Sequence, residues 1–170
     1  MKRFEWARWL LKVARPAWQA KGRTMVNDTM RKFGYPATLV RDYDHWAVLL
    51  RPAQVTLGSL VLAARSDATA FGDLPAGAHA ELARISAEVE AALRAVTEYQ
   101  RINYLMLMMV DPHVHFHIFP RYEGSRSFDN FTIEDRGWPG PPDLKSGLDP
   151  TRSKFESLRR RLIDVWESNH

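Results

Sequence analysis

Residues 113–119 read His-Val-His-Phe-His-Ile-Phe, and no other stretch constrains the chain so tightly. In an extended strand, successive side chains point to opposite faces. His113, His115 and His117 then share one face, while Val114, Phe116 and Ile118 share the other. The apolar side has core character, and the polar side is a row of imidazoles about 7 Å apart at alternate positions. A half-buried strand with a chemically uniform polar face therefore sits in the second half of the chain.

The surrounding pattern supplies its partners. Runs over about 38–43, 45–50 and 57–64 have β character, separated by turn residues at Asp44 and Pro52, and a further strand is expected over 101–109. The stretch 75–98 repeats Leu82, Ile85, Val89, Leu93 and Val96 at helical spacing, with Pro75 in the first turn. A short helix over about 28–33 is capped by Asn27 or Asp28 and stopped by Gly-Tyr-Pro. Strands with helices inserted, rather than a regular βα alternation, predict an α+β class built on an antiparallel sheet.

The ends read as helical additions. Residues 3–15 form an amphipathic pattern, with Phe4, Ala7, Leu11 and Ala14 on one side and Arg8, Lys12 and Arg15 on another, and Pro16 ends it. Trp6 and Trp9 on a basic helix would suit a membrane surface. Packing on the domain or a partner subunit is the simpler reading. Residues 121–150 read as a long loop that could fold over a bound ligand, and the chain closes with a helix from about 151. The expected division is a helical extension over 1–36, a core domain over 37–122, a covering loop over 123–150 and a C-terminal helix over 151–170.

Composition excludes several classes. The 170 residues contain no cysteine, so disulfide frameworks and thiolate chemistry are absent. A formal charge of +4 mildly favours anionic partners. No apolar run approaches the roughly 20 residues that span a bilayer, and charged residues interrupt the N-terminal apolar stretch where a secretory signal would need continuity. A cytoplasmic location is expected.

On residue chemistry alone the histidines admit three readings. They can be a solvated strand face that is rich in histidine. Two imidazoles at i and i+2 can reach one metal ion, with Asp111 as a further ligand. They can also perform nucleophilic chemistry on phosphorus: a neutral imidazole attacks when its other nitrogen is held by an acceptor, and its neighbours stabilise charge.

His-Val-His-Phe-His-Ile-Phe resembles the signature of the histidine triad (HIT) superfamily, most of all the branch of dinucleoside polyphosphate hydrolases and the fragile histidine triad protein. The following Pro120-Arg121 extends the likeness, as do the strand–turn–strand over 46–65 and the long helix, so that residues 43–122 are covered. The resemblance implies a HIT-like antiparallel sheet with one long central helix. It makes His115 the nucleophile toward an α-phosphate, forming a nucleotidyl-histidine that water resolves. His113 and His117 would orient the phosphates. It implies no obligatory cofactor or bound metal, Mg²⁺ accompanying the substrate at most, and a homodimer.

Three positions depart from the family pattern. Ser59 stands where many members carry a fourth histidine. Met108, Met109 and Val110 replace a Gly-Gln-Ser/Thr segment that supplies polar contacts. Arg51 takes the place of an Asn or Asp that holds the ribose. A polyphosphate still needs cations, since imidazoles are mostly neutral at pH 7. Arg51, Arg121 and Arg126 are the candidates to clamp it, and Ser59 is a further substrate contact. The leading expectation is a nucleotide hydrolase or nucleotidyl transferase acting on nucleoside or dinucleoside polyphosphates. The rival is a nucleotide-binding or sensing protein with little turnover. A metal-binding protein and a nucleic-acid-binding module rank below both: Arg159, Arg160 and Arg161 point in different directions on a helix, and no nucleic-acid or integral-membrane partner is expected. His45, His79 and His170 are expected to carry no chemistry.

Overall fold

A computed structural model describes residues 25–168. The helix expected over 3–15 and His170 lie outside the described residues. Five strands, β1 (Leu39–Asp42), β2 (Trp46–Leu50), β3 (Leu60–Ala64), β4 (Arg101–Leu105) and β5 (His115–Arg121), form one sheet in the order β1-β2-β3-β5-β4. Every neighbouring pair is antiparallel, so the α+β architecture expected from the sequence is present.

β2 and β3 are buried along their whole length, which their unbroken apolar sequences require. Their even-numbered residues, with Phe116 and Ile118 of β5, face the main core, where helix α2 (Ala76–Thr97) presents Ile85, Val89 and Leu93. The C-terminal helix α3 (Arg152–Ser168) adds Phe155, Leu158, Leu162 and Trp166 to the same core. Trp46 anchors α2 by donating its indole N–H to the carbonyl of Ala78 at 2.9 Å. Arg159 is buried and donates to the carbonyl of Leu39 at 2.7 Å, tying α3 to β1.

The odd-numbered face has its own smaller cover. Ala47, Leu49, Val61 and Ala63 pack with Leu39 against Met30 of a short helix, α1 (Asp28–Lys32). Asn27 caps α1 by accepting from the Met30 N–H, and its amide donates to the carbonyls of Ala64 and Ser66, which pins the helix across the sheet. Met30, Val26, Phe33 and Tyr35, within the stretch expected as an N-terminal extension, thus pack on the sheet.

Three boundaries differ from the sequence reading. β3 begins at Leu60 rather than 57, because the side chain of Gln54 gathers the preceding turn: its Oε1 accepts from the N–H groups of Gly58 and Ser59. Gly58 adopts φ +82°, and a Cβ there would meet Thr97 and Leu93 of α2 at 2.9 and 3.1 Å. β4 stops at Leu105 rather than 109, since the chain turns at Leu107–Met109 before Pro112, which has no N–H for the ladder. Between 123 and 150, where a loop was expected, β6 (Ser125–Phe128) and β7 (Phe131–Glu134) form a hairpin. Its turn residues, Asp129 and Asn130, both have positive φ, the arrangement a two-residue hairpin loop demands. Among the described residues, no helix is long and apolar enough to cross a membrane.

Candidate functional site

The antiparallel register lays out the odd-numbered face in rows. His115 stands opposite Ala63, and His117 stands between Val61 and Leu105. One row further, Phe119 faces Asn103, and Arg121 then faces Arg101. Small and aliphatic residues on the neighbouring strands leave room for the imidazoles. His113 precedes the strand rather than belonging to it, so only two of the three histidines sit in the ladder.

The hydrogen bonds fix what each ring can do. His115 Nδ1 lies 2.7 Å from the backbone carbonyl of His113. A carbonyl only accepts, so Nδ1 carries the proton and the lone pair resides on Nε2. That Nε2 is 3.2 Å from Nε2 of His117, which is then the donor. The remaining nitrogen of His117, Nδ1, is buried without a hydrogen-bond partner among the described residues. A bare, unprotonated nitrogen is the form that tolerates such a position. Burial also depresses the pKa of His117 to about 4, assisted by His115 and the Arg51 cation. Geometry and electrostatics agree that His117 is neutral. His113 contacts Thr29 Oγ1 of α1 through its Nδ1 at 3.0 Å, and its Nε2 lies 3.9 Å from Asp67.

The site is closed on one side by residues that the sequence pattern did not single out. Phe33, just after α1, packs its ring 5.7 Å from His115 and 5.4 Å from His117, measured between centroids. Phe119 stacks on His117 from the next row at 6.2 Å. His115 is 0% and His117 7% exposed as a result. Lys32 reaches across to Asp111 at 2.5 Å, so α1 is fastened to the segment before the triad from both ends. An aromatic residue before the Gly-Tyr-Pro stop was the available signal, and it was read only as the end of a helix.

The four expected substrate contacts fare differently. Arg51 extends the odd-numbered face from the end of β2. Its pKa is lowered by burial against the opposing pull of Asp149, and its Nε is buried with no partner among the described residues. One Nη contacts the carbonyl of Ala53. Ser59 is fully buried in the Gln54 turn, donating to the carbonyl of Thr56 at 2.7 Å and accepting from the Thr56 N–H. Its hydroxyl is used locally and does not reach the triad. Arg121 shares the histidine face but is consumed by an internal ion pair with Asp135 at 2.7 and 3.0 Å, by Asn103 Oδ1 at 2.6 Å and by the carbonyl of Gly140 at 2.9 Å. Arg126 lies beyond the other face: it donates to the carbonyls of Thr97 and Glu98 at the end of α2, and its guanidinium covers Tyr122 at 4.8 Å. It caps a helix, as a cation at a C-terminus does. Of the three arginines, only Arg51 stands beside the triad with a donor to spare.

Among the described residues, no group of three or more His, Asp or Glu is arranged to hold a metal ion. His45 and His79 stand apart from the triad, His45 against Gly77 and His79 edge-on to Phe71.

With this geometry in hand, comparison with solved structures is direct. The chain superposes on a histidine triad protein from Sinorhizobium meliloti 1021 with a TM-score of 0.67 and 18% identity, over 84% of this chain and 97% of that one. A hypothetical histidine triad nucleotide-binding protein from Sulfolobus tokodaii strain 7 matches with a TM-score of 0.61 and 19% identity, over 77% and 84%. A zinc-bound histidine triad family protein from Mycobacterium smegmatis matches with a TM-score of 0.51 and 18% identity, over 79% and 89%. No family model and no curated protein matches at the level of sequence. The chain has the fold of the histidine triad proteins, with His115 and His117 in the first half of β5 and His113 just before it.

Proposed function

We propose that the protein is a nucleotide hydrolase or nucleotidyl transferase that works through a covalent intermediate on His115. The observation that carries this reading is the 2.7 Å contact from His115 Nδ1 to the His113 carbonyl, which leaves the Nε2 lone pair directed away from the backbone. In the first step Nε2 attacks the α-phosphorus of a nucleoside polyphosphate. The bond from phosphorus to the bridging oxygen breaks, and its electron pair stays on the departing phosphate. Water then attacks phosphorus, the N–P bond breaks back onto Nε2, and the water proton passes to solvent. An alcohol or phosphate in place of water makes the same sequence a transfer.

Arg51, with its unpartnered buried Nε, is the cation that meets the phosphates, and two parallel hydrogen bonds from guanidinium to phosphate oxygens suit it. Mg²⁺ arrives with the substrate and screens the remaining charge. An apolar groove between α2 and the sheet, lined by Leu82, Ala83, Tyr104 and Phe116 beside the edge of β4, which pairs with no further strand among the described residues, supports a homodimer.

A second reading, nucleotide binding or sensing with little turnover, is favoured by one observation: the nucleophile is sealed beneath Phe33, and no polar donor replaces Met108–Val110 before the triad. Labelled ATP and diadenosine polyphosphates separate the two. The enzyme reading expects turnover and an acid-labile nucleotidyl-protein in the parent, both lost in His115→Asn with nucleotide binding retained. Binding without turnover or labelling in the parent selects the sensor.

A further inference from the structure

The turn that leads from β4 to the histidines carries the most exposed large apolar side chains among the described residues. Met109 and Val110 leave 90% and 82% of their surface in water, and Leu107 and Pro112 beside them are exposed as well. The stretch sorts its side chains by position. Met106 and Met108 pack against the core, while Leu107, Met109 and Val110 point outward. The Met109 N–H donates to the carbonyl of Leu107 at 3.0 Å and closes the turn. Single exposed apolar residues are ordinary. Here two are consecutive, at the tip of a turn, and the triad begins three residues after Val110.

The second observation is where the charge lies. Residues 1–24 hold seven Lys or Arg, one acid and three of the six tryptophans. Residues 25–170 hold 17 Lys or Arg against 19 Asp or Glu, so the positive excess of the chain resides entirely in its first 24 positions. A domain with a surplus of two acids does not answer that many cations. Lys and Arg interleaved with tryptophan suit a lipid headgroup boundary, where cations meet anionic phosphates and indole rings settle at the interface. Nucleic acid also attracts cations, but it rewards aromatic stacking, to which the aliphatic tip at Met109 and Val110 adds nothing.

Helix α1 joins the two features. Residues 1–24 run into it through Met25, itself exposed, whose carbonyl accepts from Arg65 at 3.3 Å. At the far end of its five residues, about 7.5 Å along, Lys32 pairs with Asp111, the residue after Val110. The basic segment and the apolar tip therefore flank one short helix. The acids of that helix and turn, Asp28 and Asp111, are paired with Arg31 and Lys32, which lessens their repulsion of an anionic surface.

We propose that the protein docks on an anionic phospholipid surface, with residues 1–24 supplying the cations and Met109 and Val110 entering the headgroup boundary. The triad then lies just behind the contact. Docking of this kind holds whatever ligand the histidines take.

The test sediments the full chain with vesicles of phosphatidylcholine, alone or with about one third phosphatidylserine. Binding should require the anionic lipid and weaken as salt is added. Met109→Ser with Val110→Ser should weaken it about tenfold, the loss expected when two apolar side chains no longer leave water. Both positions are exposed, so an unchanged thermal midpoint should accompany the loss. Lys12→Ala with Arg15→Ala should cost about twentyfold, near fivefold for each cation. Leu144→Ser with Leu148→Ser, which alters exposed apolar residues beyond the far end of β2, should change nothing. A parent that ignores anionic vesicles, or binds phosphatidylcholine alone equally well, overturns the proposal. So does a tip variant that binds as the parent does, or a parent that prefers single-stranded RNA to vesicles at the same salt.

Discussion

Replacing Arg121 with alanine distinguishes a structural cation from a phosphate ligand, and the sequence alone pointed to the ligand. In the structure, Arg121 and Asp135 expose only 4% and 1% of their side chains, and the guanidinium makes two bonds to the carboxylate. Removing one member of such a pair strands the other as a buried, unpaired charge, which costs about 3–5 kcal/mol. The loss should sit near the upper end, because the Asn103 and Gly140 contacts vanish as well. With a urea slope near 2 kcal/mol/M, the unfolding midpoint should fall by roughly 2 M. Circular dichroism across a urea series measures this directly. Replacing both partners together, as Arg121→Met with Asp135→Leu, should recover much of the loss, because an apolar pair of similar volume often stabilises as well as a buried ion pair. Any effect of Arg121→Ala on nucleotide affinity should be the same for AMP and ATP. A midpoint shift worth less than about 1 kcal/mol, the value of an exposed pair, together with a binding loss that grows with phosphate number, would refute this reasoning and return Arg121 to the phosphates.

Three further outcomes are expected. Arg51→Ala should cost roughly 1.5–3 kcal/mol of polyphosphate affinity, the range for hydrogen bonds to charged groups, and the loss should increase from AMP to ATP in titration calorimetry. The depressed pKa of His117 makes the unfolded chain bind more protons than the folded one between about pH 6.5 and 4, so stability is full above that window and falls as the pH drops through it. The whole effect is worth roughly 3 kcal/mol, and denaturation midpoints of His117→Gln should be flatter over the same range. Extensive dialysis against a chelator, followed by readdition of Mg²⁺ alone, should leave turnover intact, whereas stoichiometric zinc whose removal abolishes nucleotide binding would favour a metal centre at the triad.

What the sequence made legible was whatever depends on periodicity. The alternation of His115, Phe116, His117 and Ile118 placed imidazoles and core residues on their correct faces, and the spacing of Ile85, Val89 and Leu93 defined α2 to within a residue or two at each end. Contacts between distant segments were not legible. Nothing local indicates that Asp135 neutralises Arg121, that Thr97 and Glu98 occupy Arg126, or that Gln54 absorbs Ser59 into a turn. A charged residue near a motif looks the same in one dimension whether its partner is a ligand or a carboxylate 14 residues away. The hairpin was missed for a related reason: its turn uses Asp129-Asn130, while the glycines and prolines that drew the loop assignment lie further along.

The cover formed by α1 and Phe33 makes binding and opening a single equilibrium. On the mechanism proposed above, a substrate meets His115, which is 0% exposed, only after this cover moves, so the measured dissociation constant is the intrinsic one divided by the fraction of molecules that are open. Substitutions in the Thr29–His113 or Lys32–Asp111 contacts, neither of which need touch a nucleotide, therefore act on affinity through that fraction. Loosening either contact raises apparent affinity without altering the chemistry, up to the limit where every molecule is already open. On that mechanism the same cover, once closed again, also governs how soon water reaches the nucleotidyl-histidine, joining the tightness of capture to the lifetime of what is captured.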